Sequence, residues 1–523
     1  MGLAWWQRGV VYQIYPRSFQ DSDGNGIGDL RGITRRLDYL AWLGVDAIWI
    51  SPIYPSPMTD FGYDVSDYCD VDPLFGTLAD MDALIEAAHR RGLKVILDYV
   101  PNHTSDRHPW FIESRRNRTN PKRNWYLWRD AAADGGPPNN WRSHFGGPGW
   151  SWDGASGQYY YHSFLPTQPD LNWRSPELRA AMFEVLRFWL RRGIDGFRVD
   201  VMWVMIKDDQ FRDNPPNPGY APGSPAHDRL IPLYSADRPE VQDLVAGMRA
   251  VLDEFEDRVL IGELYLPIER LMAYYGRGGR GAHLPFNLQL LLMQGWHAQT
   301  IADIVNRYEA ALPPGGWPNW VLGNHDRPRI ATRVGVAQAR MAALLLLTLR
   351  GTPTIYMGDE LGMVDTPIPE AEIQDPAEKR EPGKGRGRDP QRTPFPWELG
   401  PGAGFTTGRP WLRIGLDTPL SAQRDDPGSM VSLYRALLAL RRRHAALSEG
   451  SISDVVADGP VLSFRRSGND GTIFTILANT GPTPVPTKLT AGTVLLSTYQ
   501  DRTGLHIAEA LTLLEDEALI LRS

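Results

Sequence analysis

One cysteine, Cys69, stands among the 523 residues. An intramolecular disulfide is therefore excluded, and a lone cysteine reads as a small buried hydrophobe rather than a nucleophile. Long hydrophobic runs are missing too: the longest, "MAALLLLTL" over 341–349, is far too short to span a bilayer. The first residues, "MGLAWWQRGVVYQIYPR", carry no positive n-region followed by an apolar h-region. Nor is there an excess of base. With 55 Lys and Arg against 62 Asp and Glu, the net charge of −7 gives nucleic acid or an anionic membrane no electrostatic reason to bind. The densest basic run, Arg441–Arg443, falls at the end of a helical stretch, where cations complement the helix dipole. Low-complexity segments are absent. These absences predict a soluble, cytoplasmic protein with neither nucleic acid nor membrane as partner; a monomer or homodimer is expected, though nothing in the sequence reads out which. The 42% hydrophobic content is ordinary for a globular chain, and the length allows two or three domains.

What the chain does contain is a repeated junction. In "WLGVDAIWI", "RRGLKVILD" and "RRGIDGFRV" a helical pattern stops at Gly44, Gly92 or Gly193 and a β-branched run begins at once. Glycine accepts the left-handed conformation that ends a helix. The helix before Gly193 has its start marked by Ser175 and Pro176, an N-cap and a first-turn proline. Short apolar strands alternating with amphipathic helices predict a parallel sheet with helices outside. Eight strand candidates are present: "VVYQIYP", "AIWISPIY", "VILDYV", "GFRVDV", "VLIGEL", "HLPFN", "NWVLGNHD" and "PTIYMGD". The fold class is thus α/β, a (β/α)8 TIM barrel whose functional groups collect at the C-terminal ends of the strands. Residues 104–174, rich in Trp, Asn, Gly and Tyr, predict an inserted subdomain after strand 3. Residues 364–410 read as a long loop excursion. Barrel residues are expected at 1–103 and 175–448. From 449 to 523, a strand–turn–strand pattern with "NDG" predicts a C-terminal antiparallel β domain.

Carboxylates mark the strand ends. In "GFRVDV", Arg198 and Asp200 are two apart, so on a strand they face the same side. A guanidinium beside a carboxylate keeps it ionised and oriented, which suits a nucleophile and equally suits a structural ion pair. Glu263 ends "VLIGEL" among apolar neighbours, a setting that raises a carboxyl pKa and suits an acid. Asp326 follows His325 in "GNHD". Two carboxylates facing one scissile bond define a glycosidase, and a third can orient the sugar. The 18 Trp residues fit a sugar substrate, whose C–H faces pack on aromatic rings, although tryptophan also fills cores.

Seven short motifs, in order, resemble those of the α-amylase family of glycoside hydrolases: "GYDVSDY" (62–68), "DYVPNH" (98–103), "QPDLNW" (168–173), "GFRVDV" (196–201), "GEL" (262–264), "NHD" (324–326) and "GTPTIYMGDE" (351–360). The resemblance covers essentially the whole chain. It implies a retaining mechanism with Asp200 as nucleophile, Glu263 as general acid/base and Asp326 as transition-state stabiliser. It places Arg198, His103 and His325 around the same glucose subsite and makes Asp98 structural. "QPDLNW" and "GRDPQRTPFPW" (387–397) are similar to the α-glucosidase and oligo-1,6-glucosidase branch, in which an Asp–Arg pair closes the pocket behind the terminal glucose. Asp64 is the expected acid of that pair and Arg392 the expected base, with Arg388 as the alternative; Tyr63 would be the stacking platform and Phe164 a packing residue. The substrate expected is a short α-linked oligosaccharide or glucoside. Transglucosylation, and sucrose- or trehalose-acting isomerisation or hydrolysis, use the same machinery. A catalytically silent binding subunit would have lost a carboxylate or gained an anchor, and this chain keeps all three carboxylates.

One stretch looks at first like a calcium sensor. "DSDGNGIGD" offers Asp21, Asp23, Asn25, the Ile27 carbonyl and Asp29, with Gly26 at the turn. An EF-hand needs a bidentate Glu at its twelfth position, where Gly32 stands, and this loop follows a strand. It resembles the metal loop of the α-glucosidase branch, which implies structural Ca2+ or Mg2+ and no organic cofactor. A metal-free turn knitted by Asx hydrogen bonds is the other reading.

Overall fold

The computed structural model describes residues 2–487, 492–507 and 510–522. Eight parallel strands build the barrel: β1 (Val11–Ile14), β2 (Ala47–Ile50), β3 (Lys94–Tyr99), β7 (Gly196–Val199), β8 (Val259–Gly262), β9 (Leu284–Pro285), β10 (Asn319–Val321) and β11 (Thr352–Tyr356). Their order around the sheet is β10-β11-β1-β2-β3-β7-β8-β9, and helices alternate with them. Between β3 and β7 lie β4 (Trp128–Arg129), β5 (Trp150–Asp153) and β6 (Gln158–Tyr161), a small antiparallel sheet in the order β4-β6-β5.

The expected helix signals have their physical counterparts. Gly44 takes φ 101° and ends its helix in the left-handed region, and Gly193 takes φ 100°. The Ser175 hydroxyl accepts a bond from the Leu178 N–H at 3.3 Å, with Pro176 opening the helix Pro176–Arg191. Leu178, Met182, Val185, Leu186, Trp189 and Leu190 form that helix's buried stripe against the barrel.

The ladder has one seam, between β9 and β10. β9 is only two residues long and ends on a proline, which has no N–H to give. A side chain does the pairing instead: the Asn319 amide donates to the Pro285 carbonyl (2.7 Å) and accepts from the Asn287 N–H (2.8 Å). Asn319 is fully buried, so both bonds are shielded from water.

After the last barrel helix comes an antiparallel sheet in the order β12-β13-β14-β19-β16-β17, formed by β12 (Ser451–Asp458), β13 (Val461–Ser467), β14 (Ile473–Asn479), β16 (Gly492–Ser497), β17 (His506–Ile507) and β19 (Ala518–Arg522). β15 (Val485–Thr487) and β18 (Leu511–Leu513) pair beside it. A buried guanidinium ties this unit to the barrel. Arg466 donates to Thr348 O at the end of a barrel helix and to Gly450 O, while Arg441, in the last barrel helix, donates within the barrel to Gly351 O (2.6 Å) and Leu447 O (2.9 Å). Cys69 is half-buried, and burial pushes its thiol up to about 11, which leaves it unreactive.

Candidate active site

The C-terminal ends of the strands open into a cavity of about 790 Å3, lined among others by Asp60, Tyr63, His103, Phe164, Asp200, Glu263 and Asp326. Alternation on β7 sends Arg198 and Asp200 to the same side, and Arg198 becomes the hub of the site. Its Nη1 reaches both Asp200 Oδ1 and Asp98 Oδ1 at 2.8 Å, and its Nη2 reaches Glu263 Oε2 at 2.8 Å. Arg198 is fully buried, with its guanidinium 5.0 Å from the centre of the Trp49 ring. One cation thus faces three carboxylates in a dry environment.

Burial raises the pKa of both Asp200 and Glu263. Arg198 opposes the rise, while the negative charge of Glu263 raises Asp200 further and that of Asp326 raises Glu263. Side chains this close share a proton rather than titrate independently. The Asp200 and Glu263 carboxyls meet on one guanidinium, each 2.8 Å from one of its two terminal nitrogens. Glu263 Oε2 also accepts from the Val201 N–H at 2.9 Å. Val201 stands at φ 35°, ψ 47°, a left-handed conformation unusual for a β-branched residue, and this turn brings its N–H round to the acid.

Asp326 has the opposite electrostatics. Burial pushes its pKa up, but the guanidiniums of Arg392, Arg388 and Arg198 oppose that and hold it below the usual carboxylate range. Arg392 Nη2 lies 2.7 Å from Asp326 Oδ1. His325 is buried and its pKa is driven down, first by desolvation, so the ring is neutral. Gln13 Nε2 donates to its Nδ1 (2.8 Å), which assigns the proton to Nε2 and orders a relay: His325 Nε2–H to Tyr63 Oη (2.8 Å), and Tyr63 O–H to Asp98 Oδ2 (3.1 Å). Tyr63 and His325 rings stack at 5.4 Å and 6°. His103 is held by the Tyr63 carbonyl (3.0 Å) and packs on Phe164 with ring centres 5.2 Å apart.

The structure brings together Tyr63, His103, Phe164, Arg198, Asp200, Glu263, His325 and Asp326, and it corrects the expected Asp–Arg pair. Asp64 does not meet Arg392 or Arg388. Its buried carboxylate caps the turn before it, accepting from Ser56 Oγ (2.8 Å), Thr59 N (2.9 Å) and Asp60 N (3.1 Å), and so it is consumed by backbone. Arg392 is fully buried behind Asp326 and donates to that carboxylate and to the His325 carbonyl (2.8 Å). The pair at the cavity wall is Asp60 with Arg388, 2.6 Å apart, Asp60 also accepting from Gln168 Nε2 (3.1 Å). Asp375 clamps Arg388 from behind at 2.8 and 3.0 Å. Sequence reasoning missed Asp60, Gln168 and Asp375. Asp60 lies only four residues before Asp64, and the deciding fact, that Asp64 spends its oxygens on the N–H groups of that very turn, is a three-dimensional one.

Away from the cavity, Asp21, Asp23 and Asp29 each bring one carboxylate oxygen to within 4.8 Å of the others. Among the described residues none of the three has an Arg or Lys ion-pair partner. Asp29 also caps the following helix, accepting from Gly32 N at 2.7 Å. Asn25 Oδ1 is turned inward to the Ile27 N–H (2.8 Å). At Gly26, φ 88°, a Cβ would stand 1.8 Å from the Arg409 carbonyl, so only glycine fits.

A (β/α)8 barrel with two carboxylates on one buried guanidinium, a third carboxylate held ionised, and an ion pair at one wall defines a glycoside hydrolase. The chain belongs to the α-amylase family: the model of the alpha amylase catalytic domain matches residues 13–450. It is 44% identical to a protein named probable alpha-glucosidase from Rhizobium meliloti (strain 1021), over 90% of this chain and 88% of that one. It is 37% identical to an oligo-1,6-glucosidase from Parageobacillus thermoglucosidasius, over 93% and 92%. The crystal structure of the alpha-glucosyl transfer enzyme XgtA superimposes with a TM-score of 0.94 at 41% identity, covering both chains completely. Among the described residues no helix is long and apolar enough to cross a membrane.

Proposed function

We propose that the protein is a retaining, exo-acting α-glucosidase that removes terminal α-linked glucose from short oligosaccharides. The observation that carries this is the pair Asp200 and Glu263, both 2.8 Å from the one Arg198 guanidinium, in a cavity walled by Asp60 and Arg388. Asp200 attacks the anomeric carbon while Glu263 protonates the departing glycosidic oxygen. The glucosyl–Asp200 ester is then opened by a water that gives its proton to Glu263, and two inversions return the α configuration. Asp326, ionised by its cationic neighbours, accepts hydrogen bonds from the sugar hydroxyls and favours positive charge at the anomeric carbon. Tyr63, His103 and Phe164 surround the ring, and Asp60 with Arg388 binds the non-reducing end, so only a terminal glucose fits. A hydroxylated acceptor in place of water turns the same intermediate to transglucosylation, which the similarity to a glucosyl transfer enzyme favours as a second activity.

Product analysis on maltose, isomaltose, sucrose and trehalose, each with and without an acceptor alcohol, tests both readings. Glucose released as the α anomer supports hydrolysis with retention. New glucosides dominant at low acceptor place the enzyme among transglucosylases, and no turnover of any substrate overturns both.

We further propose a structural Ca2+ or Mg2+ in the Asp21–Asp29 loop. Three convergent carboxylates without a basic partner are a hard-oxygen donor set that such an ion would neutralise. Asp21, Asp23 and Asp29 would hold it, and its contribution would be rigidity where the loop joins the first barrel helix. Cytoplasmic location and a monomeric or dimeric state complete the reading, to be checked by fractionation and light scattering.

A further inference from the structure

Two histidines border the cavity and take no part in the reaction. His144 lies in the inserted subdomain ahead of β5, and His227 on the short helical turn Ala226–Arg229 between β7 and β8. Their ring centres are 3.8 Å apart with planes at 31°, and His144 also stacks on Phe164 at 5.1 Å.

The nitrogens of this pair are unspent, which sets it apart from the other imidazoles at the cavity. His325 uses both of its nitrogens, on Gln13 (2.8 Å) and Tyr63 (2.8 Å), and His103 uses both, on Asn102 (3.2 Å) and the Tyr63 carbonyl (3.0 Å). Among the described residues neither ring nitrogen of His144 has a hydrogen-bond partner. Only its backbone is bonded, N–H to Ser163 O (2.8 Å) and carbonyl from Arg386 Nη1 (2.7 Å). His227 donates through Nδ1 to the Arg142 carbonyl (3.3 Å); a carbonyl can only accept, so Nε2 carries the free lone pair. A backbone carbonyl on the far nitrogen is how metal-ligating histidines are oriented and fixed in one tautomer. Burial lowers the pKa of both rings, so both are neutral, the form that ligates.

One side chain fixes the two segments against each other. Arg386 donates to the His144 carbonyl and holds Asp228, the neighbour of His227, at 3.2 Å. That contact also pairs the Arg386 charge. Lys207, which bears on His144, is paired with Asp170, and Arg142 acts on His227 more weakly than Asp228 does.

We propose that His144 and His227 form a two-imidazole site for a borderline divalent transition-metal ion, Cu2+ or Zn2+, with water completing its coordination. Two nitrogen donors favour Cu2+ over Zn2+ and both over the hard ions Ca2+ and Mg2+, so the site is chemically distinct from the Asp21–Asp29 loop. The stack opens to admit the ion by rotation of the rings toward the cavity. The ion then ties the subdomain to the loop after β7 beside Phe164 and inhibits turnover by obstructing the approach to the carboxylates. Metal binding is independent of the glucosidase reading; only the inhibition rests on it.

Calorimetry on the full-length protein, with Ca2+ present throughout to saturate the Asp21–Asp29 loop, should show one tightest Cu2+ site per chain. The electron paramagnetic resonance spectrum of that Cu2+ should carry hyperfine structure from two imidazole nitrogens. His144→Phe keeps the stack on Phe164, and His227→Asn keeps a donor for the Arg142 carbonyl. Each should weaken Cu2+ binding at least about tenfold, with circular dichroism and metal-free kcat/KM on maltose little changed. Cu2+ should inhibit maltose hydrolysis by the parent and spare both variants at the same concentration. Undiminished Cu2+ affinity in both variants, or a spectrum without two nitrogens, overturns the site. Inhibition that persists in variants that no longer bind overturns its role at the entrance. No maltose turnover in the absence of Cu2+ overturns the glucosidase reading and leaves the binding result to decide the site.

Discussion

Asp60→Asn and Asp64→Asn make a paired experiment, because two neighbouring aspartates have different work. Replacing Asp60 removes the carboxylate that faces Arg388 at the cavity wall, but Arg388 keeps Asp375 at 2.8 and 3.0 Å, so no buried cation is orphaned. The penalty of about 3–5 kcal/mol for breaking an isolated buried pair should therefore not appear. What is lost is a charged hydrogen-bonding group for the terminal glucose, worth about 1.5–3 kcal/mol. At about 1.4 kcal/mol per tenfold, kcat/KM on maltose should fall about 10- to 100-fold with the melting temperature little changed. Asp64→Asn has the reverse profile. Its carboxylate accepts two backbone N–H groups and a hydroxyl inside the turn, and an amide nitrogen can accept none of them. Thermal stability should drop by several degrees, with activity following only as far as Asp60 is displaced. Steady-state kinetics and calorimetry on both variants decide it. Less than threefold loss in Asp60→Asn, or a larger kinetic loss in Asp64→Asn at unchanged stability, would refute the assignment of the pocket-closing acid.

Asp200→Ala should lose at least about 1,000-fold in kcat on maltose while its circular dichroism stays that of the parent, since Arg198 retains Asp98 and Glu263 as counter-ions. Burial raises Glu263, which acts protonated, so kcat/KM should fall as pH rises through a value above the ordinary glutamate range; an alkaline limb below about pH 4.3 would contradict this. Chelation with EDTA should lower the melting temperature and excess Ca2+ restore it, and Asp21→Asn should abolish the response while glucosidase activity at low temperature persists. Asn319→Leu should cost about 2–4 kcal/mol in urea unfolding, because the Asn287 N–H and the Pro285 carbonyl lose their shared partner.

The barrel was legible because its grammar is local. Helix stops at Gly44 and Gly193, the Ser175–Pro176 start and the β-branched runs are each decided within a few residues. β9 was legible only as an apolar hint, since its ladder is carried by an asparagine in the next strand. Within the site, spacing was enough to put Arg198 and Asp200 on one side, because period two is a property of any strand. Loop residues were harder. Whether Asp60 or Asp64 points into the cavity depends on which one the turn's own N–H groups capture, and whether Arg388 or Arg392 reaches the wall depends on the path of a Pro- and Gly-rich excursion.

The three-way grip of Arg198 bears on how the two steps of the reaction run in sequence. Before bond cleavage the negative charge rests on Asp200. Once the ester forms, that charge has vanished from Asp200 and reappeared on the deprotonated Glu263. Both oxygens already sit 2.8 Å from the two ends of the same guanidinium. The counter-ion thus needs neither to travel nor to be resolvated: the site is poised for the product charge state while it still holds the reactant one. Electrons and one proton change place around a stationary cation, and deglycosylation begins in an environment that was set before glycosylation started.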